Sequence, residues 1–256
     1  MGVSRAARLA IAMSVVLFLA ATAGVACDET VDDRTSLTAT TGGGMTTGDG
    51  TTAGGGATIR LPAPQLDGTV SLEEAIQGRR SIREYSDEPL TLAELGQLLW
   101  AAQGVTSDRG GRAAPSAGGT YPLEVYAATA MVTGLQPGVY HYLSQEHALE
   151  LVTATDIRGR LMEASLYQAC VGDGALDIII AAVYERTTER YGERGVRYVH
   201  LEAGHAAQNL CLQAVALGLG AVTVGAFSDE QVQSAAGLPA GEQPLYVIPV
   251  GRPSAD

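Results

Sequence analysis

The chain has no lysine: all sixteen of its basic residues are arginine. Any mechanism built on a lysine amine, such as a Schiff base, is excluded. Positive charge as a whole is scarce. Twenty-eight Asp and Glu leave a formal net charge of −12, so generic nucleic-acid binding, which needs a basic face to release counterions, is excluded as well. Cysteine and histidine are sparse, at three and four residues. Cys27, Cys170 and Cys211 form no C-x-x-C pair. Of the histidines only His200 and His205 lie close, five apart where zinc-binding helix pairs sit four apart, and no H-E-x-x-H occurs. No metal site is expected. There is no G-x-S-x-G elbow for a serine hydrolase and no G-x-G-x-x-G after a strand for a dinucleotide fold.

Apolar residues are plentiful, 46% of 256 residues, enough for a real core in one or two domains. Their distribution begins with a leader. Arg5 and Arg8 precede an uncharged, mostly apolar run from Leu9 to Ala26, and Cys27 follows directly. Residues 1–27 therefore read as an export signal, with an uncleaved membrane anchor as the other reading. Gly24-Val25-Ala26-Cys27 resembles a bacterial lipoprotein box with Gly24 where a large aliphatic residue is usual, which makes Cys27 a lipidation candidate. Arg5 and Arg8 are not a twin-arginine pair. Residues 28–58 are rich in Thr and Gly with almost nothing that packs, a flexible tether that would hold a domain off a membrane. If Cys27 is lipidated, Cys170 and Cys211 remain, either as free thiols or as a disulfide in an oxidising compartment.

The globular part is expected over 59–256. Ser71 with Glu74 and Thr91 with Glu94 are capping-box patterns that start helices ending near Gly78 and Gly104. Trp100, at helical spacing with Leu95 and Leu99, reads as core rather than as a stacking platform. Strands are expected over 124–130, 138–143, 148–153, 175–183, 221–226 and 244–250. A helix capped by Asp156 is expected to run to about Ala169, and the longest helix from Arg197 to about Leu219, with Leu201 on its apolar face. Ser228 caps a last short helix. Helices and strands mix without strict alternation, so the expected fold class is α+β, a mainly antiparallel central sheet flanked by helices with one long central helix.

Two stretches carry chemistry. Arg79-Arg80-Ser81-Ile82-Arg83 places three guanidinium groups and a hydroxyl within five residues. Such forks suit phosphate and other oxyanions, although a solvated helix end would look alike. Residues 112–122, with Pro115, Ser116, Ala117, Gly118 and Gly119, make a tight loop whose N–H groups can approach a ligand, or a plain glycine turn.

These stretches, together with the Leu95–Gly104 helix, the run from Leu201 through Gln208-Asn209 to Gly218-Leu219-Gly220, Gly225-Ala226-Phe227 and Pro249-Val250-Gly251, resemble the nitroreductase superfamily, in order, over about residues 60–253. The resemblance is nearest to its SagB/ThcOx-type dehydrogenases. It implies a nitroreductase-like FMN-binding fold, a homodimer with FMN at the interface, and an oxidoreductase passing hydride between an electron donor and a small-molecule or peptide substrate. On this resemblance Arg79, Arg80, Ser81 and Arg83 would hold the phosphate, ribityl chain and pyrimidine edge. Pro115, Ser116, Ala117 and Gly118 would line the ribityl and ring from the partner subunit. Gln208 and Asn209 would lie near the flavin, Val224, Gly225 and Ala226 would give backbone contacts near N5, and Arg252 would help with phosphate. Some azoline dehydrogenases of this group carry a Lys-Tyr pair where this chain has Arg190-Tyr191. Tyr191 remains a candidate catalytic residue, but arginine does not readily deprotonate, which weighs against peptide azoline oxidation. The competing readings are a non-catalytic flavin-binding or sensing module on the same fold, and a structural surface lipoprotein.

Overall fold

The computed structural model describes residues 58–254. The expected leader, Cys27 and the tether up to residue 57 lie outside them. Thr58, expected as the last tether residue, instead opens strand β1 (Thr58–Arg60), which pairs antiparallel with β6 (Ala148–Thr153). Both capping boxes form. Ser71 accepts from the Glu74 amide and Thr91 from the Glu94 amide, starting α1 (Leu72–Gly78) and α2 (Leu92–Gln103). β2 (Leu90–Thr91) pairs in parallel with β4 (Val132–Thr133) beside the main sheet.

That sheet has seven strands in the order β1-β6-β5-β3-β7-β9-β8. The others are β3 (Leu123–Thr129), β5 (Gly138–Leu143), β7 (Leu176–Ala182), β8 (Gly220–Ala221) and β9 (Gln243–Gly251). Each adjacent pair is antiparallel, as the sequence led us to expect. β7 lies inside the sheet between β3 and β9 and, apart from Asp177, is apolar on both faces. Ile178 and Ile180 enter one core and Ile179 the other, all fully buried. Each such side chain contributes roughly 1.5–3 kcal/mol.

Five more helices, among the described residues, complete the α+β arrangement. α5 (Glu185–Tyr191) leads into α6 (Arg194–Ala216), whose 23 residues span about 35 Å. Its buried face, Val199, Ala203, Ala206, Leu210 and Ala214, covers the core of Ile178 and Ile180. Leu201 departs from expectation: it is 51% exposed, off that face. α7 (Asp229–Ala236) is capped by Ser228 as expected. Among the described residues no helix is long and apolar enough to cross a membrane.

Three further expectations need correction. The helix expected from Asp156 to Ala169 is broken into α3 (Arg158–Ala164) and α4 (Ala169–Asp173). Leu166 and Tyr167 between them take the left-handed conformation, with φ 56° and 58°. Asp156 does not cap; its carboxylate accepts from the Arg158 amide and pairs with that residue's guanidinium at 3.0 Å. The strand expected over 221–226 shrinks to Gly220–Ala221 plus an isolated bridge from Val224 to Val247. Of the two readings left open for Cys170 and Cys211, the free thiols hold: both are buried, one in each core, and the central sheet keeps them apart.

Candidate functional site

The arginine stretch follows α1 and adds to the edge of the sheet. The Ile82 amide donates to the Ala221 carbonyl at 3.2 Å, and Ser81 bridges Ala221 in parallel. Gly220 makes this possible: a Cβ there would come within 2.6 Å of the Ile82 side chain. Tyr85 anchors the far end, its hydroxyl donating to the Ile82 and Pro249 carbonyls. Burial pushes that phenol well above its ordinary range, so it stays a donor.

Arg80, Ser81 and Arg83 are exposed and Arg79 is half-buried. Arg80 Nη1 donates to the carbonyls of Gln77 and Arg79, while Arg83 Nη1 lies 3.5 Å from the Ser81 carbonyl. Among the described residues no carboxylate pairs with any of these three guanidinium groups. On so acidic a chain, three unpaired arginines within five residues fit an anion. Arg252 is different. It adjoins the stretch through the bridge from Tyr85 to Pro253, but Nε lies 2.8 Å from Glu88 and Nη2 lies 3.1 Å from Glu94. Glu94 also receives the Thr91 amide at 2.7 Å, so Arg252 straps the C-terminal end to the start of α2. A cavity of about 240 Å³ beside Arg80 and Ile82 is floored by Cys211, Val215 and Gly218.

The loop over 112–121 packs elsewhere on α6. Ser116 Oγ accepts from the Tyr121 amide at 2.9 Å, closing a short 3-10 turn over Ala117–Gly119. Gly118 sits at φ 63°, and a Cβ there would lie 2.5 Å from the Tyr191 hydroxyl and 2.8 Å from Arg190 Nη1. Glycine suits the positive φ and leaves room for both side-chain tips. Arg190 Nη1 donates to the Gly118 carbonyl at 3.1 Å, and Tyr191 meets Tyr198 edge-on. The structure thus brings Ser116, Ala117, Gly118 and Tyr191 together, with Pro115 exposed at the loop's start. Asn209 Nδ2 donates to the Ala113 carbonyl at 3.3 Å, holding the loop's root; Gln208 is exposed.

Val224 is buried and pairs with Val247, leaving Gly225 and Ala226 exposed. The Ala226 carbonyl accepts from Gln168 at 3.2 Å, which ties this turn to the α3–α4 break.

The arginine stretch meets α6 near Cys211 and Val215, and the loop's centre meets it near Glu202. Along the helix axis these turns are roughly 14–20 Å apart. Glu202, with Gln103 and Arg112, was not singled out from sequence. Ser116, Arg112 and Gln103 all face Glu202, which is only 2% exposed. A signal was present: a carboxylate standing three residues after Val199 and four before Ala206, inside the apolar stripe.

The family model for "Nitroreductase family" matches residues 76–252. A protein of Methanocaldococcus jannaschii assigned as a nitroreductase is 45% identical over 195 residues, covering 76% of this chain and 97% of that one. A crystal structure from Ralstonia eutropha, assigned in the same way, superposes with a TM-score of 0.69 at 33% identity, covering 78% of this chain and 90% of that one. The Vibrio harveyi NADPH:FMN oxidoreductase in complex with NAD+ shares the fold at a TM-score of 0.53 and 22% identity, covering 72% and 69%. With the sheet order, the arginine stretch and the glycine loop in place, the chain belongs to the nitroreductase family.

Proposed function

We propose that this protein is an FMN-dependent oxidoreductase of SagB/ThcOx-like type, acting as a homodimer. The observation that carries the cofactor is the arginine stretch: Arg79, Arg80 and Arg83 have no carboxylate partner among the described residues, on a chain of net charge −12. The distant V. harveyi neighbour works with FMN by its name, which points the same way. Bound FMN would accept a hydride from a donor and pass it to a substrate. Arg79, Arg80, Ser81 and Arg83 neutralise and bond its phosphate end. The backbone of Pro115–Gly118, close-packed because Gly118 carries no Cβ, lies against the flat ring from the partner subunit. Gly225 and Ala226 present exposed backbone beside the reactive edge, with Gln208 and Asn209 from α6, whereas both backbone groups of the expected Val224 are taken by Val247. Tyr191 offers a hydroxyl next to Gly118 for holding or orienting a proton. Arg252 contributes through the strap to Glu88 and Glu94, not through a free guanidinium.

The leader over 1–27, the lipidation candidate Cys27 and the Thr- and Gly-rich run after it lead us to infer export and tethering outside the cytoplasm. Loss of membrane association in Cys27→Ala tests that reading.

Purified protein should be yellow and release FMN on denaturation. A colourless protein that takes up no added FMN would overturn the proposal. One observation favours a second reading, a flavin-binding or sensing module: the place of a deprotonable lysine is taken by Arg190, pinned to the Gly118 carbonyl. Anaerobic reduction separates the two. Reduction by NADH or NADPH and reoxidation by a nitro, quinone or azoline substrate supports turnover; reduction by dithionite alone supports the module.

A further inference from the structure

Beneath the 112–121 loop lies a buried polar cluster that shares only Ser116 with the proposed flavin contacts. Three side chains face Glu202 there. Glu202 comes from α6 and Gln103 from α2, both almost completely buried, and Arg112 and Ser116 come from the loop. Arg112 Nη1 donates to Gln103 Oε1 at 3.0 Å, its amide donates to the Tyr121 hydroxyl at 3.3 Å, and its guanidinium stacks 4.7 Å from the Tyr121 ring centroid. Arg112 thereby braces both ends of the loop.

Three atoms in the pocket have no hydrogen-bond partner: Glu202 Oε1, Gln103 Nε2 and Arg112 Nε. One is an acceptor on the carboxyl and two are donors. Buried polar atoms are rarely left so, because each has lost its bonds to water with nothing in exchange. The pocket is too dry to favour a carboxylate, yet it holds in reserve the two donors a carboxylate would need. Burial raises the Glu202 carboxyl to about 7, against the smaller opposing pull of Ser116, Arg112 and Gln103. Arg112 is the charged group facing it. Arg112 is in turn faced by Glu124 of β3, by Tyr121 and by Arg186, which follows β7 on α5. Glu124 is also held by His141 at 2.8 Å and by Arg186 at 2.5 Å, and its charge acts on Arg112 ahead of that of Glu202.

We propose that Glu202 is a positioning residue for the 112–121 loop: with its proton on, Arg112 stays on Gln103 and Tyr121 and braces the loop, and with its proton off, Arg112 Nε and Gln103 Nε2 turn to the carboxylate and the brace loosens. The loop's pH response stands on the pocket alone; its effect on flavin binding rests on the proposed function. The loosened loop holds FMN more weakly, so affinity falls as pH rises through neutrality.

Hydrogen exchange of FMN-free protein, corrected for the intrinsic effect of pH, reads the loop directly. Protection over residues 113–121 should fall about tenfold between about pH 5.5 and 8.5, a coupling of ordinary size, with its midpoint near 7. Glu202→Gln cannot ionise and should hold the low-pH protection throughout. Arg112→Gln removes a charge that favours the carboxylate and should move the midpoint upward. The FMN dissociation constant of the wild type should follow the same curve and that of Glu202→Gln should be flat. Wild-type protection that does not change with pH would overturn the proposal even if Glu202→Gln fails to fold, and so would a titration that survives in Glu202→Gln. Wild-type protection that falls about neutrality while the protein takes up no FMN would remove the flavin reading and leave the positioning role standing.

Discussion

Arg80 and Arg83 are exposed, and their described bonds go to nearby backbone carbonyls, so replacing either disturbs little of the fold. A charge-assisted hydrogen bond contributes roughly 1.5–3 kcal/mol, which is about tenfold to a hundredfold in affinity. Arg83→Ala is therefore expected to weaken FMN binding by that factor with an unchanged melting temperature, as flavin fluorescence titration and a thermal melt would show. Asp177 makes a different prediction. It is fully buried in β7, neither carboxylate oxygen has a partner, and burial raises it well above its ordinary 3.8. Below that ordinary value both the folded and unfolded chains hold the proton. As pH rises, the unfolded chain releases it and the folded chain does not, so stability is lost upward from about 3.8 toward the raised value. Asp177→Asn should melt close to the wild type at about pH 4 and several degrees above it at about pH 8, since 1 kcal/mol moves a domain of this size by about 2–4 °C. An equal difference at both pH values would contradict this assignment.

At the scale of elements, the α3–α4 break is the strained joint. Leu166 and Tyr167 are 68% and 73% exposed, so they pack little, yet both hold positive φ. The turn is kept because Tyr167 N donates to the Met162 carbonyl at 2.9 Å and Gln168 reaches the Ala226 carbonyl. A non-glycine residue in this region costs about 1–2 kcal/mol. Tyr167→Gly should therefore raise the melting temperature by a few degrees, a direction opposite to that of most glycine substitutions. Its tie to Ala226 also makes this turn a support for the exposed backbone at Gly225 and Ala226. α2 is coupled in the same fashion: Glu94 serves both the cap at Thr91 and the strap from Arg252.

At the scale of the molecule, several large apolar side chains are uncovered. Leu72 and Ile76 on α1 are 61% and 57% exposed, and Val196 and Leu201 on α6 are 40% and 51% exposed. On the proposed reading a second copy covers the α6 face and brings its 115–118 loop to the arginine stretch, which in one chain meets α6 about 14–20 Å from its own loop. Wild-type protein should then sediment as a dimer. Leu201→Arg should yield a folded monomer with much weaker FMN binding, because the site is completed across the interface. A variant that stays dimeric would place the interface elsewhere. FMN affinity should also fall with salt, since exposed arginines act through a screened field.

The fold class was legible in the residues themselves. Capping boxes at Ser71 and Thr91, the apolar run at 176–182 and the long stripe through Leu210 are local patterns, and local hydrogen bonding and periodicity determine them. The clustered arginines and Gly118 were legible for the same reason: their chemistry is written in adjacent residues. Other features depended on partners far along the chain. The helix after Asp156 breaks at Leu166–Tyr167, where the Ala164 carbonyl and the Gln168 side chain are bonded to Ser228 and Ala226, partners far along the chain. Arg252 looked like one more phosphate ligand until Glu88 and Glu94 were found beside it. Glu202 looked like an ordinary helix carboxylate until Gln103 and Arg112 closed over it. Sequence alone determined which chemistry the chain carries, because residue type and short-range spacing set it; only the tertiary structure decided which of those charges are free, which are paired and which are buried, because burial and pairing are made by residues distant in sequence.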